Sequence, residues 1–209
     1  CIYQDGFPNF YHPRLRTADI IVFSATVKGR YLSSMWKTFY DRAYFWNHTP
    51  SLAGKQLGYI ISGPLRQNPN LIQMLEASST ARQNANHVDI ITDECENSAE
   101  IDALLQSFAQ RLVNFAEKGY LRPQNFLAVG GHKVFRDDIW GRLRPLWQAD
   151  YRYFKKHGLF DFPQNDYKIR ALTPILMLLT RIPVIRKKYY TNVKTFPSGR
   201  LKKLIEHVD

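Results

Sequence analysis

From Ala18 to Arg42 a short apolar run passes through small residues directly into an amphipathic segment, and few folds accept that succession. Ile20, Ile21, Val22 and Phe23 are β-branched or aromatic with no polar alternation, the pattern of a strand buried on both faces in a parallel sheet. Ser24 to Gly29 then reads as a small-residue loop. Beyond it Leu32, Met35, Trp36, Phe39, Tyr40 and Ala43 recur at helical spacing and define one apolar face, with Lys37, Asp41 and Arg42 largely off it. This order puts the loop at the carboxyl edge of a strand, where backbone amides and a helix N-terminus hold planar or anionic ligands. On pattern alone, one β-α unit with an empty loop is an equal reading.

The unit repeats downstream. Gln56 to Ile61 reads as a second strand with the exit loop Ser62-Gly63-Pro64. Asn70 is an N-cap for a helix through about Thr80, with Leu71, Met74, Leu75 and Ser78 on one face. His87 to Thr92 is a third strand, ending in Asp93, Glu94 and Glu96. Those acids suit a metal ion or a helix start, and Asn97-Ser-Ala-Glu100, a capping-box variant, favours the helix start. Ile101, Leu104, Leu105, Phe108, Leu112 and Phe115 then mark a long helix that Lys118-Gly119 stops. Phe126 to Gly131 reads as a short last strand, after which the alternation ends. Ile139 to His157 is a Trp- and Tyr-rich helical stretch interrupted by Pro145. Pro163, Pro174, Pro183 and Pro197 divide the remainder into short helices, and residues 1–17 are rich in turn formers.

At 209 residues, 44% apolar and 22% charged, the chain suits one packed core with a subdomain rather than two equal domains. Its net charge of +11 is unevenly placed. Residues 1–121 carry 11 Lys+Arg against 11 Asp+Glu, and residues 122–209 carry 18 against 7, which is the whole excess. Such asymmetry suits an acidic partner, nucleic acid or anionic lipid, and equally a solvated cationic face. Two cysteines, Cys1 and Cys95, supply no disulfide framework and fit a reducing, cytoplasmic location. Six scattered histidines lack metal-ligand spacing, and no P-loop or nucleophile elbow occurs. The apolar stretch from Ala171 to Leu179 is far short of the roughly 20 residues a membrane span needs. Trp147 to Lys156 alternates as a packed helix face would, which argues against nucleic acid. Ile175 to Tyr190, apolar then basic, suits an anionic membrane surface or packing on the core, and the break at Pro183 favours packing. The first residue is Cys rather than Met, so the expectation is that something lies upstream.

Ala18-Asp-Ile-Ile-Val-Phe-Ser-Ala-Thr-Val27, the helix end Met35-Trp-Lys-Thr-Phe-Tyr-Asp-Arg42 and Leu52-Ala-Gly-Lys55 together resemble the flavodoxin-like NAD(P)H-dependent FMN reductases and their iron-sulfur flavoprotein relatives. The resemblance covers residues 18–65 best, is weaker to about residue 119 and looser beyond. Ala25 and Val27 stand where the family usually has Pro and Tyr. The family's first strand and its Ser/Gly/Thr-rich phosphate loop have no counterpart before Asp19, so the chain is expected to be a fragment or to lack the phosphate site. What the resemblance implies is an α/β fold: a flavodoxin-like parallel sheet flanked by helices, missing its N-terminal part, over residues 1–131. Residues 132–209 form a basic, mostly helical extension.

The resemblance further implies FMN as cofactor and NAD(P)H as co-substrate. Electrons would pass through bound flavin to a small-molecule acceptor: a quinone, a nitro compound, another flavin or a metal centre. It implies a cytoplasmic homodimer or higher homo-oligomer with no transmembrane segment. Ser24, Ala25, Thr26, Val27, Lys28 and Gly29 would line the isoalloxazine, with Ser62, Gly63 and Pro64 completing its pyrimidine edge. No catalytic side chain is required, because the flavin supplies the hydride acceptor. Lys28 and Arg30 either stabilise the reduced flavin anion or are solvated loop cations. Cys1 is either a retained iron-sulfur ligand or a plain residue. The alternative from a different class is a non-enzymatic flavodoxin-like interaction protein whose basic C-terminal region binds an acidic partner.

Overall fold

The computed structural model describes residues 5–43, 49–82, 84–95, 97–141, 143–161 and 166–192. The readings made of Cys1, Glu96, Pro163 and Pro197 therefore lie outside the described residues. The chain divides into two compact units, residues 1–133 and 134–209.

The first unit is built on a sheet of four strands: β1 (Ile20–Lys28), β2 (Tyr31–Leu32), β3 (Gln56–Ser62) and β4 (Asn86–Thr92), in the spatial order β2-β1-β3-β4. β1, β3 and β4 run parallel, with Ile20 opposite Gln56 and Thr26 opposite Ser62. The α/β class read from the sequence is the class observed. Ahead of the sheet lie α1 (Phe7–Phe10) and a wide turn at Tyr11–Leu15, where irregular chain was expected. Pro8 suits the first turn of α1, and buried Tyr11 anchors the segment through its hydroxyl, 3.0 Å from Ser51 Oγ.

Two layers of helix cover the sheet. On one face α2 (Ser34–Arg42) and α3 (Pro69–Ala77) bring Trp36, Leu71 and Leu75 onto Val27, Tyr59 and Ile61. Asn68, rather than Asn70, precedes α3, and its side-chain amide donates to the Pro64 carbonyl at 3.0 Å. On the other face α4 (Ser98–Glu117) packs Phe108 and Leu112 against Val88 and Ile91. Asn97 caps it by accepting from the Ala99 amide, as its sequence signature required. Gly58 leaves the space that the Phe108 ring fills, and a Cβ there would sit inside the ring edge. β1 is not buried on both faces as expected. Ile21 and Val27 are buried, whereas Val22, Ser24 and Thr26 are exposed, because α4 lies over β3 and β4 and reaches β1 only at Ile20.

Buried amides tie the amino ends of the strands. Asn86 Nδ2 donates to Gln56 Oε1 at 2.6 Å, Gln56 Nε2 to the Tyr120 carbonyl at 3.0 Å, and the Arg122 amide to Asn86 Oδ1 at 3.0 Å. The expected last strand at Phe126 to Gly131 is instead the start of α5 (Phe126–Trp140). Asn125 decides this locally, since its carboxamide oxygen accepts from the Ala128 amide at 2.9 Å and opens a helix. A short apolar run cannot by periodicity tell helix from strand.

The second unit holds the rest of α5, α6 (Gln148–Lys156), α7 (Tyr167–Leu179) and a helical stretch at 183–192. Its core is Ile139, Tyr151 and Phe154, with Leu159 and Phe160 against them. The aromatic residues of α6 thus pack as a helix face. Arg136, almost wholly buried, is held by Asp161 at 2.7 Å.

Two outcomes test this packing. Gly58→Ala should destabilise the protein by about 1–3 kcal/mol, because Phe108 must leave its place on the sheet; a denaturant titration measures it. The His87 ring lies 5.7 Å from that of Tyr59, tilted by 32°, and its Nδ1 is buried with no hydrogen-bond partner among the described residues, and burial lowers its pKa below the ordinary 6.5. A depressed pKa means the unfolded chain takes the proton first, so stability is full above pH 6.5 and declines as the pH falls through the folded value. His87→Phe should flatten that decline in melting temperature between about pH 7.5 and about pH 5.

Candidate functional site

The carboxyl ends of the three parallel strands bring Thr26, Ser62 and Thr92 side by side. Ser24 to Lys28 form the last part of β1, not the loop read from the sequence. Phe23, Thr26 and Val27 favour extended backbone, and seven consecutive residues of β1 pair with β3, which holds Ser24, Ala25 and Thr26 in the ladder. The chain then turns back at once. Val27 and Lys28 pair antiparallel with Leu32 and Tyr31, around a two-residue turn whose first residue, Gly29, has φ +62°. Glycine at that place is what such a turn demands. Ser33 closes the return: its amide donates to the Thr26 carbonyl at 3.1 Å, and its hydroxyl caps α2 by accepting from the Trp36 amide.

The expected site residues therefore separate into three groups. Ser24, Ala25 and Thr26 line a groove of about 530 Å³ with Ser33, Met35 and Trp36. It runs along the side of β1 away from β3, where β1 from Ile20 to Thr26 pairs with no strand among the described residues. Val27 points inward and is buried, and Lys28, Gly29 and Arg30 form the exposed hairpin tip. Ser62 ends β3 opposite Thr26, Gly63 and Pro64 leave it, and a Cβ on Gly63, whose φ is +105°, would lie 3.2 Å from Val27 Cβ. Pro64 leads into a tight turn at Leu65–Gln67.

Asp93 and Glu94 do not mark the start of α4. Asp93 accepts from the Ser62 hydroxyl at 2.6 Å and from the Gly63 amide at 2.8 Å. Glu94 accepts from the Arg66 amide at 3.0 Å and from the Thr92 hydroxyl at 3.2 Å. The two carboxylates fasten the β3 exit loop to the end of β4, because loop amides with no ladder partner need acceptors and these acids stand beside them. The hydrogen bond from Ser62 and then that from Gly63 hold the Asp93 carboxyl below its ordinary pKa. Among the described residues no group of three metal-ligating side chains exists.

Sequence reasoning missed Asp93, Ser33, Met35 and Trp36 as parts of this edge. Ser33-Ser34 ahead of an apolar helical face was a legible N-cap signal. Trp36 and Met35 had been assigned to a helix face without regard to the groove beside it. Asp93 carries no local signal, since its partners stand 30 residues away.

A flavin is a flat apolar ring system with one polar edge, and the two parts fare differently here. The groove beside β1 is apolar, carries hydroxyls at Ser24, Thr26 and Ser33, and has the volume of a small-ligand site. It fits the ring. The Ser62 hydroxyl and Gly63 amide expected at the polar edge are already given to Asp93, so they are free for a ligand only when Asp93 releases them.

No family model and no curated protein matches the chain. The Trp repressor binding protein from Bacillus subtilis is similar in structure, with a TM-score of 0.40 and 19% identity, over 53% of this chain and 72% of that one.

The Asp93 fastening has a pH dependence of known sign. A depressed carboxylate pKa means its contribution is present above the ordinary 3.8 and is lost as the pH falls through the lower folded value. Asp93→Ala should produce at neutral pH what acid produces in the native chain: faster amide hydrogen exchange at Gly63 and an upfield shift of its amide proton, with the β3–β4 ladder unchanged.

Proposed function

We propose that this protein is a flavin (FMN)-dependent oxidoreductase that takes electrons from NAD(P)H and passes them to a quinone, a nitro compound, another flavin or a metal centre. The observation that carries the reading is the groove along the open side of β1, which Ser24, Ala25 and Thr26 line toward the carboxyl end of that strand. Open parallel sheets take their ligands outside the carboxyl ends of their strands. The consecutive parallel order β1-β3-β4 is also compatible with one side of a doubly wound sheet.

In this reading Ser24, Ala25, Thr26 and Ser33 hold the ring system, with Met35 and Trp36 as its apolar wall. Ser62 and Gly63 turn to the polar edge as Asp93 gives them up. The bound flavin supplies hydride acceptance and onward electron transfer. Lys28 and Arg30, exposed on the hairpin beside the groove, favour negative charge on a ligand. Homo-oligomeric assembly belongs to the same proposal.

A second reading has its own observation. With Ser62 and Gly63 engaged by Asp93, the edge is closed by the protein's own carboxylate, as suits a non-enzymatic scaffold. The two readings diverge on FMN itself. The enzyme reading expects visible flavin absorption in the purified protein, quenching of FMN fluorescence on titration, and NADPH oxidation when a quinone is added. Ser24→Phe, a substitution at an exposed position that fills the groove, should weaken FMN binding about tenfold or more. A colourless protein that leaves FMN fluorescence unchanged overturns the enzyme reading.

A further inference from the structure

Helix α7 is inside out. Thr173, 1% exposed, and Thr180 are the buried residues of the segment, whereas Leu172, Ile175 and Leu178 are 53%, 57% and 63% exposed, with Leu179 and Ile182 also exposed. Within α7, Leu172, Ile175, Leu178 and Leu179 stand at three- and four-residue steps and share one helix face, and Ile182 follows in the turn beyond it. The buried threonine has a local cause. Pro174 lacks an amide to donate, and the Thr173 hydroxyl donates to the Arg170 carbonyl at 3.1 Å. That accounts for Thr173 facing the protein and leaves unexplained why five aliphatic side chains face out. A contiguous aliphatic surface of this kind marks a binding face. Within Ile175 to Tyr190, Leu176, Met177, Thr180 and Tyr189 are buried or half-buried, and the other aliphatic side chains are exposed.

The charge around the stripe specifies what covers it. Between Asp166 and Glu206 the sequence has ten Lys+Arg and no acid. Lys168, Arg181, Arg186, Lys187 and Lys188 are exposed around the aliphatic face. Pro183 does not end the surface, because it takes the first position of the next helical stretch, where Val184 is 77% exposed. Exposed Tyr167 and Tyr190 stand near the two ends, the place where tyrosines sit at a lipid-water boundary. Within α7 the stripe from Leu172 to Leu179 is roughly 10 Å long, well short of a bilayer's hydrocarbon depth, and among the described residues no helix is long and apolar enough to cross a membrane. Nucleic acid would be met by cations and aromatic rings, with nothing to cover the leucines.

We infer that α7 and the stretch 183–192 form a docking surface for an anionic lipid bilayer, the aliphatic face entering the headgroup boundary and the lysines and arginines reaching the phosphates. Side chains of that length bury their stems beside apolar surface while their charges stay at the interface. The inference does not rest on the flavin reading.

Co-sedimentation of the full chain with vesicles of phosphatidylcholine, with and without phosphatidylserine, tests it. The expected result is binding to the phosphatidylserine vesicles only, weakening about tenfold or more as salt screens the charges. Ile175→Asp with Leu178→Asp should abolish binding. Arg186→Glu, Lys187→Glu and Lys188→Glu together should lower it by well over tenfold, since each basic residue near such a surface is worth roughly fivefold. Should the double variant melt lower than the native chain, Val184→Asp replaces it at the most exposed position. No sedimentation, binding that survives the aspartate substitutions, or retention by double-stranded DNA or an acidic polypeptide without vesicle binding overturns the inference.

Discussion

The buried pair Gln56–Asn86 sets the frame from which the rest of the first unit follows. An amide pair excluded from water tolerates no slip, because each unpaired polar group would carry its full desolvation cost. Gln56 and Asn86 face each other at the amino ends of β3 and β4, and their remaining groups reach Tyr120 and Arg122, so the chain leaving α4 is tied to the same point. One residue further along, the ladder shifts register between Leu57 and Gly58. The shift brings Asp89 opposite Gly58, and Phe108 lies over that glycine. The carboxyl edge is where these strands finish, so its geometry is set from the opposite end of the sheet.

At that edge one carboxylate has two consequences. Asp93 makes the β3 exit loop a defined structure by satisfying Ser62 and Gly63. It also takes the donors that a ligand's polar edge would use. The proposed flavin site and the closed scaffold differ in the state of that single acceptor.

The second unit shows the reverse of ordinary burial. Ile139, Tyr151 and Phe154 make a conventional small core, while α7 turns threonines inward and aliphatic residues outward. Part of the basic excess of residues 122–209, at Lys168, Arg181, Arg186, Lys187 and Lys188, is exposed near that aliphatic face. Charge alone permits many acidic partners, and charge beside exposed aliphatic residues is the feature on which the inferred lipid surface rests.

Much of the first unit was legible. Ile20 to Phe23 declared a parallel strand by its unbroken apolar run, Gln56 to Ile61 and His87 to Thr92 read as strands by their apolar residues, and Asn97 with the spacing from Ile101 to Phe115 declared α4. These are local signals, written in period and cap. The errors fall where partners are distant in sequence. Ser24 to Lys28 looked like a loop because small residues are locally permissive, and pairing with β3 made them strand. Phe126 to Gly131 lacked the length to choose between helix and strand, and a cap at Asn125 chose. Asp93 and Glu94 looked like helix acids until the β3 exit loop came beside them. Ile175 to Tyr190 looked like subdomain packing because Pro183 breaks the amphipathic run, and Pro183 instead opens the next helical stretch. The sequence by itself determined the α/β class and the places of β3, β4 and α4, since periodicity needs only neighbours. Tertiary structure alone decided which donors at that edge are already engaged and which face of α7 meets the outside, since both depend on residues that only folding brings together.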